Sequence, residues 1–294
     1  MSALKLAAKF GMYTSDASIE QRFTELRALG LDGTEIGFDL ATPVAEISDA
    51  IRATGLAVPT VIVGGSFSHS LTSTDPAERA TVVDALSRTI DAAHEFGASA
   101  VMLSPGWDRP ELRPEQTGEL VREALAPALR DASQAGVTVI IENLWNGWLA
   151  SATDLAAFID SFGDAPIGVL FDTGNAARFS PPQHWVHTLG KRIRRIDLKD
   201  YNKTWARKPA VLYGADEDLL AVWGPDGPWG ALDSLLFKGD VDFALVASAL
   251  RDIEYEGWCC AEHGQGDAEW IRGFVADLNR FGKLFEGGGS DDRE

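Results

Sequence analysis

Residues 137–200 read VTVIIENLWNGWLASATDLAAFIDSFGDAPIGVLFDTGNAARFSPPQHWVHTLGKRIRRIDLKD. Three short apolar runs, Val137–Glu142, Ile167–Phe171 and Ile193–Leu198, have strand character. Two stretches with helical spacing, Ala152–Phe162 and Pro182–Leu189, separate them. Strands alternating with helices are the signature of parallel βα units. Each of these runs ends at, is directly followed by, or contains near its end a carboxylate: Glu142, Asp172 and Asp197 respectively.

The same alternation extends outward to both ends of the chain. Upstream, strand patterns cover Leu6–Gly11, Gly33–Phe38, Ala57–Val63 and Ser99–Leu103, with helical patterns at Ile19–Leu29, Val44–Thr54, Ala77–Phe96 and Pro114–Ala135. Downstream lie a helix over Asp242–Ile253, a strand over Gly257–Glu262 and a helix over Ala268–Phe285. Start and stop chemistry supports several of these boundaries. Thr74-Asp75-Pro76 precedes the third helix, and Ser151 with Asp154 offers a capping box for the fifth. Leu29-Gly30, Phe96-Gly97, Ala135-Gly136 and Leu189-Gly190 place a glycine just past a helix end. Eight such units predict a single (β/α)₈ TIM barrel over residues 1–286. No GxGxxG follows the first strand, which speaks against a dinucleotide-binding sheet. A long connection, 201–238, carries Trp205, Trp223 and Trp229 and reads as a functional loop or an interface arm. The polar tail 287–294 (GGGSDDRE) is expected to be disordered.

The 294 residues carry 44 acidic and 26 basic side chains, a formal charge of −18. Phosphate neutralisation needs a basic surface, so nucleic acid is not an expected partner. No apolar run is long enough to span a bilayer, and the N-terminus lacks the apolar core of a signal peptide. The expectation is a soluble, cytoplasmic protein acting on small molecules, and a homo-oligomer is compatible with it. Cys259 and Cys260 are adjacent on a strand and point to opposite faces, so they form no disulfide framework and read as small buried side chains.

In a βα barrel the active site lies at the C-terminal ends of the strands. Glu142, Asp172, Asp197 and Glu262 occupy those ends on strands five to eight, four neighbouring staves. Such carboxylates either bind protons or share a cation. An all-oxygen set without His or thiolate suits a hard ion, Mn²⁺ or Mg²⁺, better than zinc. Inward geometry for Asp197 also turns Lys199 toward the mouth and Arg195 toward the opposite rim. Glu35 on strand two is either a mouth residue or a satisfied buried carboxylate.

The blocks IENLWNGWLASATDLAAFI (141–159), FDTGN (171–175) and HWVHTLGKRIRRIDLKDYN (184–202) resemble the sugar phosphate isomerase/epimerase superfamily, the xylose isomerase-like TIM barrels. GLDGTEIGF (30–38), FKGDVDF (237–243) and EYEGWCCAEHGQGD (254–267) match it more weakly, and together the matches span nearly the whole chain. The resemblance implies that Glu142, Asp172 and Glu262 are metal ligands. Many ketose epimerases of the family carry His where this chain has Asp197, whereas aldose isomerases of the xylose isomerase type use a carboxylate on that strand. It further implies proton movement beside the carbonyl of a ketose or keto-sugar through an enediolate, with Glu142 and Glu262 as the acid/base pair. A keto-sugar dehydratase or keto-glycoside lyase shares that proton abstraction, and a non-catalytic carbohydrate-binding protein is the third reading. A DNA-repair endonuclease of the same fold would need several His ligands and a basic face. Loop residues expected to meet substrate are His69, Trp107 and Trp145, joined by Asn175 and Lys199. Trp148 is a further aromatic in these loops, and His263 a neighbour of the ligand Glu262. No glycine-rich phosphate cradle is present.

Overall fold

The computed structural model describes residues 4–66, 70–203 and 235–287. Eight parallel strands close into a barrel in sequential order, β1 through β8 and back to β1. They are β1 (Lys5–Lys9), β2 (Gly33–Phe38), β3 (Thr60–Val63), β4 (Ala100–Leu103), β5 (Thr138–Glu142), β6 (Ile167–Asp172), β7 (Ile193–Leu198) and β8 (Trp258–Ala261). Among the described residues the α-helices are α1 (Ile19–Ala28), α2 (Val44–Thr54), α3 (Pro76–Phe96), α4 (Pro114–Ala135), α5 (Ala152–Asp160), α6 (Thr173–Ala177), α7 (Pro182–Leu189), α8 (Phe243–Asp252) and α9 (Ala268–Phe285). Most of the (β/α)₈ reading holds to within one or two residues. Most of the 201–238 connection and the tail beyond Gly287 lie outside the described residues. Among the described residues no helix is long and apolar enough to cross a membrane.

Two boundaries differ for local reasons. The first strand stops at Lys9 rather than Gly11, because Phe10–Met12 turn into a 3₁₀ segment. The Arg22 guanidinium stacks 3.7 Å over the Phe10 ring and donates to its carbonyl at 2.9 Å, fixing that turn. The third strand starts at Thr60 rather than Ala57. Pro59 has no N–H to give a ladder, and Ala57 makes only an isolated bridge to Gly33. Helix termini follow the sequence chemistry. Asp75 accepts from the Ala77 amide, Ser151 accepts from the Asp154 amide, and Gly97 and Gly136 end their helices with φ of 69°.

The core has two layers. The larger packs the outward faces of the strands against the helices. The smaller lies inside the barrel and contains Ala100, Met102, Ile140 and Leu170, with Ile62 beside them. This inner apolar set comes from β3 to β6 only. Opposite it, β1, β2, β7 and β8 send Lys9, Glu35, Arg195, Asp197 and Cys260 into the lumen, so the interior is half apolar and half ionic.

One irregularity orients the ionic half. Between β6 and β7 the register steps from Val169–Ile193 to Leu170–Arg195, which makes Arg194 an extra residue on β7. Beyond the step Arg195 pairs with Leu170 and Asp197 with Asp172. Arg195 is only 8% exposed at the N-terminal end of the barrel. Its guanidinium donates to Thr60 Oγ1 (3.2 Å), the Pro59 carbonyl (3.1 Å), Ser99 Oγ (2.7 Å) and the Arg194 carbonyl (2.8 Å). Trp258 closes the same end over Gly33, where a Cβ would fall 2.7 Å from the indole and 2.9 Å from the Ala57 carbonyl.

Arg195→Met removes the donors for several buried acceptors at once. We expect a loss of about 2 kcal/mol, read as a lower urea midpoint with unchanged m-value. An unchanged midpoint would show that Arg195 does not hold the barrel floor.

Candidate metal centre

At the C-terminal mouth, carboxylate oxygens of Glu142, Asp172, Asp197 and Glu262 all lie within 4.8 Å of one another. Opposite ligands of a Mg²⁺-sized ion sit about 4 Å apart, so one dication can reach all four. Glu142, Asp172 and Asp197 are buried, and the Glu262 side chain is 32% exposed. The strand ends bring these groups together as the sequence reading expected.

The chain fixes each carboxylate separately. Asp172 caps the short helix α6, its Oδ1 accepting from the Asn175 amide at 2.7 Å. Its own backbone is gripped by the Asn143 side chain, which accepts from the Asp172 amide (2.7 Å) and donates to its carbonyl (3.0 Å). Asn175 Nδ2 donates to Glu142 Oε1 at 3.0 Å. One residue therefore aligns two of the acids. Thr173 Oγ1 donates to the Lys199 carbonyl (2.7 Å) and accepts from the Lys199 amide (2.9 Å), locking the ends of β6 and β7 together.

Two lysines enter the cluster. Lys199 Nζ lies 3.0 Å from Asp172 Oδ2 and 3.3 Å from Glu262 Oε2. Lys9 Nζ lies 2.8 Å from Asp197 Oδ2, 3.2 Å from Glu35 Oε2 and 3.6 Å from Glu262 Oε2. Glu35 is thus a buried, ion-paired carboxylate, one of the two readings its sequence position allowed. Lys199 pairs with Asp172 and Glu262 rather than with Asp200, which instead accepts from the backbone amides of Tyr201, Gly239 and Val241.

The lysines do not neutralise the cluster. Glu35, Glu142, Asp172, Asp197 and Glu262 supply five carboxyl groups against two ammonium groups. Burial, reinforced by Glu262 and Asp172, raises the Glu142 carboxyl well above its ordinary range. Burial and the acids Glu35, Glu262 and Asp172 push Asp197 up to about 8 despite Lys9. Glu262 behaves oppositely: burial would raise it, but Lys199 and Lys9 pull it down to about 2. Burial works against the charge on both lysines, yet the surrounding carboxylates raise their pKa values. Asp197 Oδ1 is buried and accepts no hydrogen bond among the described residues. Excess negative charge, an orphaned carboxylate oxygen and an all-oxygen donor set fit a hard divalent cation.

The other expected residues fall into different settings. Trp145 is half-buried and its indole donates to the Asn175 carbonyl at 3.2 Å, with Arg178 4.2 Å over its ring. Trp107 follows β4 and is 37% exposed. Trp148 packs on Phe158 and donates to the Gly106 carbonyl, an ordinary loop support. His263 packs against Trp270 and Phe274 rather than the carboxylates. His69 lies outside the described residues. Sequence reasoning missed Lys9 and Ser104. Lys9 closes an apolar strand just as the acids do, and that position is the signal in the sequence that points to it. Ser104 extends the inward face of β4 beside Glu142, and its buried hydroxyl has no hydrogen-bond partner among the described residues.

A family model described as xylose isomerase-like TIM barrel matches residues 23–280. The chain belongs to this family. No curated protein sequence matches the chain. Among solved structures, an L-ribulose 3-epimerase superposes with a TM-score of 0.76 at 19% identity, covering 98% of this chain and 96% of that one. The 3-keto-D-glucoside 4-epimerase YcjR from E. coli, in its apo form, gives 0.75 at 15% identity, covering 95% and 98%. The IOLI protein with a bound zinc atom gives 0.74 at 12% identity, covering 98% and 100%. At these identities the likeness is one of fold.

The raised carboxyl groups have a measurable consequence. Below its pKa each carries a proton, which a cation must displace. Mn²⁺ affinity is therefore expected to rise with pH up to about 8 and to fall below it. Calorimetry at pH 7 in buffers of different ionisation enthalpy should show about one to two protons released per ion. Buffer-independent heats would refute proton occupancy of the cluster.

Proposed function

We propose that the protein is a divalent-metal-dependent sugar isomerase or epimerase, moving a proton at the carbon beside the carbonyl of a ketose or keto-sugar. The observation that carries this reading is the set of four carboxylate oxygens within 4.8 Å at the mouth of a xylose isomerase-like barrel. Similarity to barrels named as keto-sugar epimerases supports the substrate class.

Glu142, Asp172, Asp197 and Glu262 would hold the ion, and the oxygen donors favour Mn²⁺ or Mg²⁺. When bound, it would polarise the substrate carbonyl and stabilise the negative charge that develops there. The chain supplies the proton chemistry. Glu142 ends β5 and Glu262 directly follows β8, with β6 and β7 between them, and so they approach the mouth from different sides. They are assigned as the acid/base pair. Lys9 and Lys199 hold Glu262 ionised, as a base requires, while Asn175 aims Glu142. Lys199, Asn175, Trp145, Trp107 and His69 are assigned to substrate contact, with Lys199 beside the reacting oxygens.

The test is exchange of substrate C–H for deuterium in D₂O with added Mn²⁺ and a panel of ketoses and 3-keto-glucosides. Steady exchange with an epimeric or isomeric product is expected. Release of water or an aglycone would instead identify a lyase, and failure to bind any dication would leave a carbohydrate-binding protein. Glu262→Gln should lower exchange by about 10²-fold or more while the protein still binds the ion. Full turnover in that variant would remove Glu262 from the acid/base pair.

A further inference from the structure

We infer that Lys9 is a built-in cation: its ammonium group fills the inner of two adjoining acidic sites in the barrel and confines an added dication to the outer one. The inference rests on the metal reading of the outer site only for the number of ions bound. Two groups of potential ligands share Asp197. The outer contains Glu142, Asp172 and Glu262; the inner contains Glu35 and Cys260. Cys260 precedes Glu262 by two residues on the same stave, so the inner group reaches deeper into the barrel on the β8 side while sharing Asp197 with the outer one. Its members are all buried, with Glu35 1%, Asp197 0% and Cys260 1% exposed.

Lys9 enters from β1, the stave between β2 and β8, and pairs in register with Glu35. An ammonium group has three protons to donate. Three carboxylates, those of Asp197, Glu35 and Glu262, lie within 3.6 Å of Nζ. Glu35 Oε1 and Asp197 Oδ1 accept no hydrogen bond among the described residues, so the inner group keeps donor capacity beyond what Lys9 uses. This orphaned oxygen pair indicates a pocket built for positive charge. A tethered ammonium loses no freedom of translation on occupying it, whereas a free ion must first displace it.

The experiment counts Mn²⁺ per chain after gel filtration and follows the melting temperature with and without the ion. It compares the natural protein with Lys9→Met and with Lys9→Met/Glu35→Gln. The natural chain is expected to hold one ion. Lys9→Met should hold two, with the second ion raising its melting temperature and giving the exchange-broadened resonance of a close Mn²⁺ pair. The double variant, which lacks both the ammonium and one inner carboxylate, should return to one ion and melt above metal-free Lys9→Met. Two ions in the natural chain, or no extra ion in Lys9→Met, would overturn the inference. Should Lys9→Met fail to fold, the double variant decides: recovery of the fold supports the pairing of Lys9 with the inner acids, and failure of both overturns it. A natural chain that binds no ion at all would defeat the proposed function separately. Lys9→Met gaining one ion would even then support the ammonium as the inner occupant.

Discussion

Like charges held together in a space that excludes water form the constraint on this barrel. Glu35, Glu142, Asp172, Asp197 and Glu262 face one another with only Lys9 and Lys199 between them. Repulsion at these distances is strong in a low-dielectric interior, and each ionised carboxylate also loses hydration. Such a cluster persists only if the scaffold is stiff and positive charge is available. The pattern of raised and lowered carboxyl pKa values expresses that competition in one lumen.

The scaffold meets the first condition by dividing the lumen. Ile62, Ala100, Met102, Ile140 and Leu170 pack one side like the interior of any barrel. Arg195 seals the floor of the other side with hydrogen bonds to groups at the start of β3 and β4. Above that floor, other side chains hold the clustered carboxylates. Asn143 staples the backbone of Asp172, Asn175 spans Asp172 and Glu142, and Thr173 ties β6 to β7. Positioning of this kind keeps donor atoms close without depending on the ion for their arrangement.

Much of this was legible in the chain itself. The eight-fold alternation is carried by strongly periodic segments with glycine stops, and the acids stand at strand ends where a barrel gathers its chemistry. The resemblance to a known family implies ligand roles for Glu142, Asp172 and Glu262, which spacing alone could not assign. Lys9 was obscured because a lysine close to an N-terminus looks like ordinary surface charge. Its meaning depends on β1 ending at Lys9 and on pairing with Glu35, both set by tertiary register. Ser104 was hidden for a similar reason, since it lies one residue past the end of β4 and becomes informative only once Glu142 is placed beside it. Asp200 shows the converse: an acid directly after Lys199 invites reading as its ion partner, yet loop amides claim it. Several of the residues proposed to meet substrate lie in loops whose sequence has no periodicity to read.

The extra residue at Arg194 ties the chemistry to strand length as well as to residue type. Past that point the inward set of β7 is Arg195, Asp197 and Lys199, and the outward set is Ile196 and Leu198. Loss of Ile196, beyond that extra residue, would exchange the positions that follow, turning Leu198 into the lumen and Asp197 and Lys199 into the helical layer. A single deleted codon could thereby erase the cluster while every acid remained in the sequence. Drift among distant barrels can thus replace most side chains and still preserve the mouth, provided that insertions and deletions stay in the connecting loops.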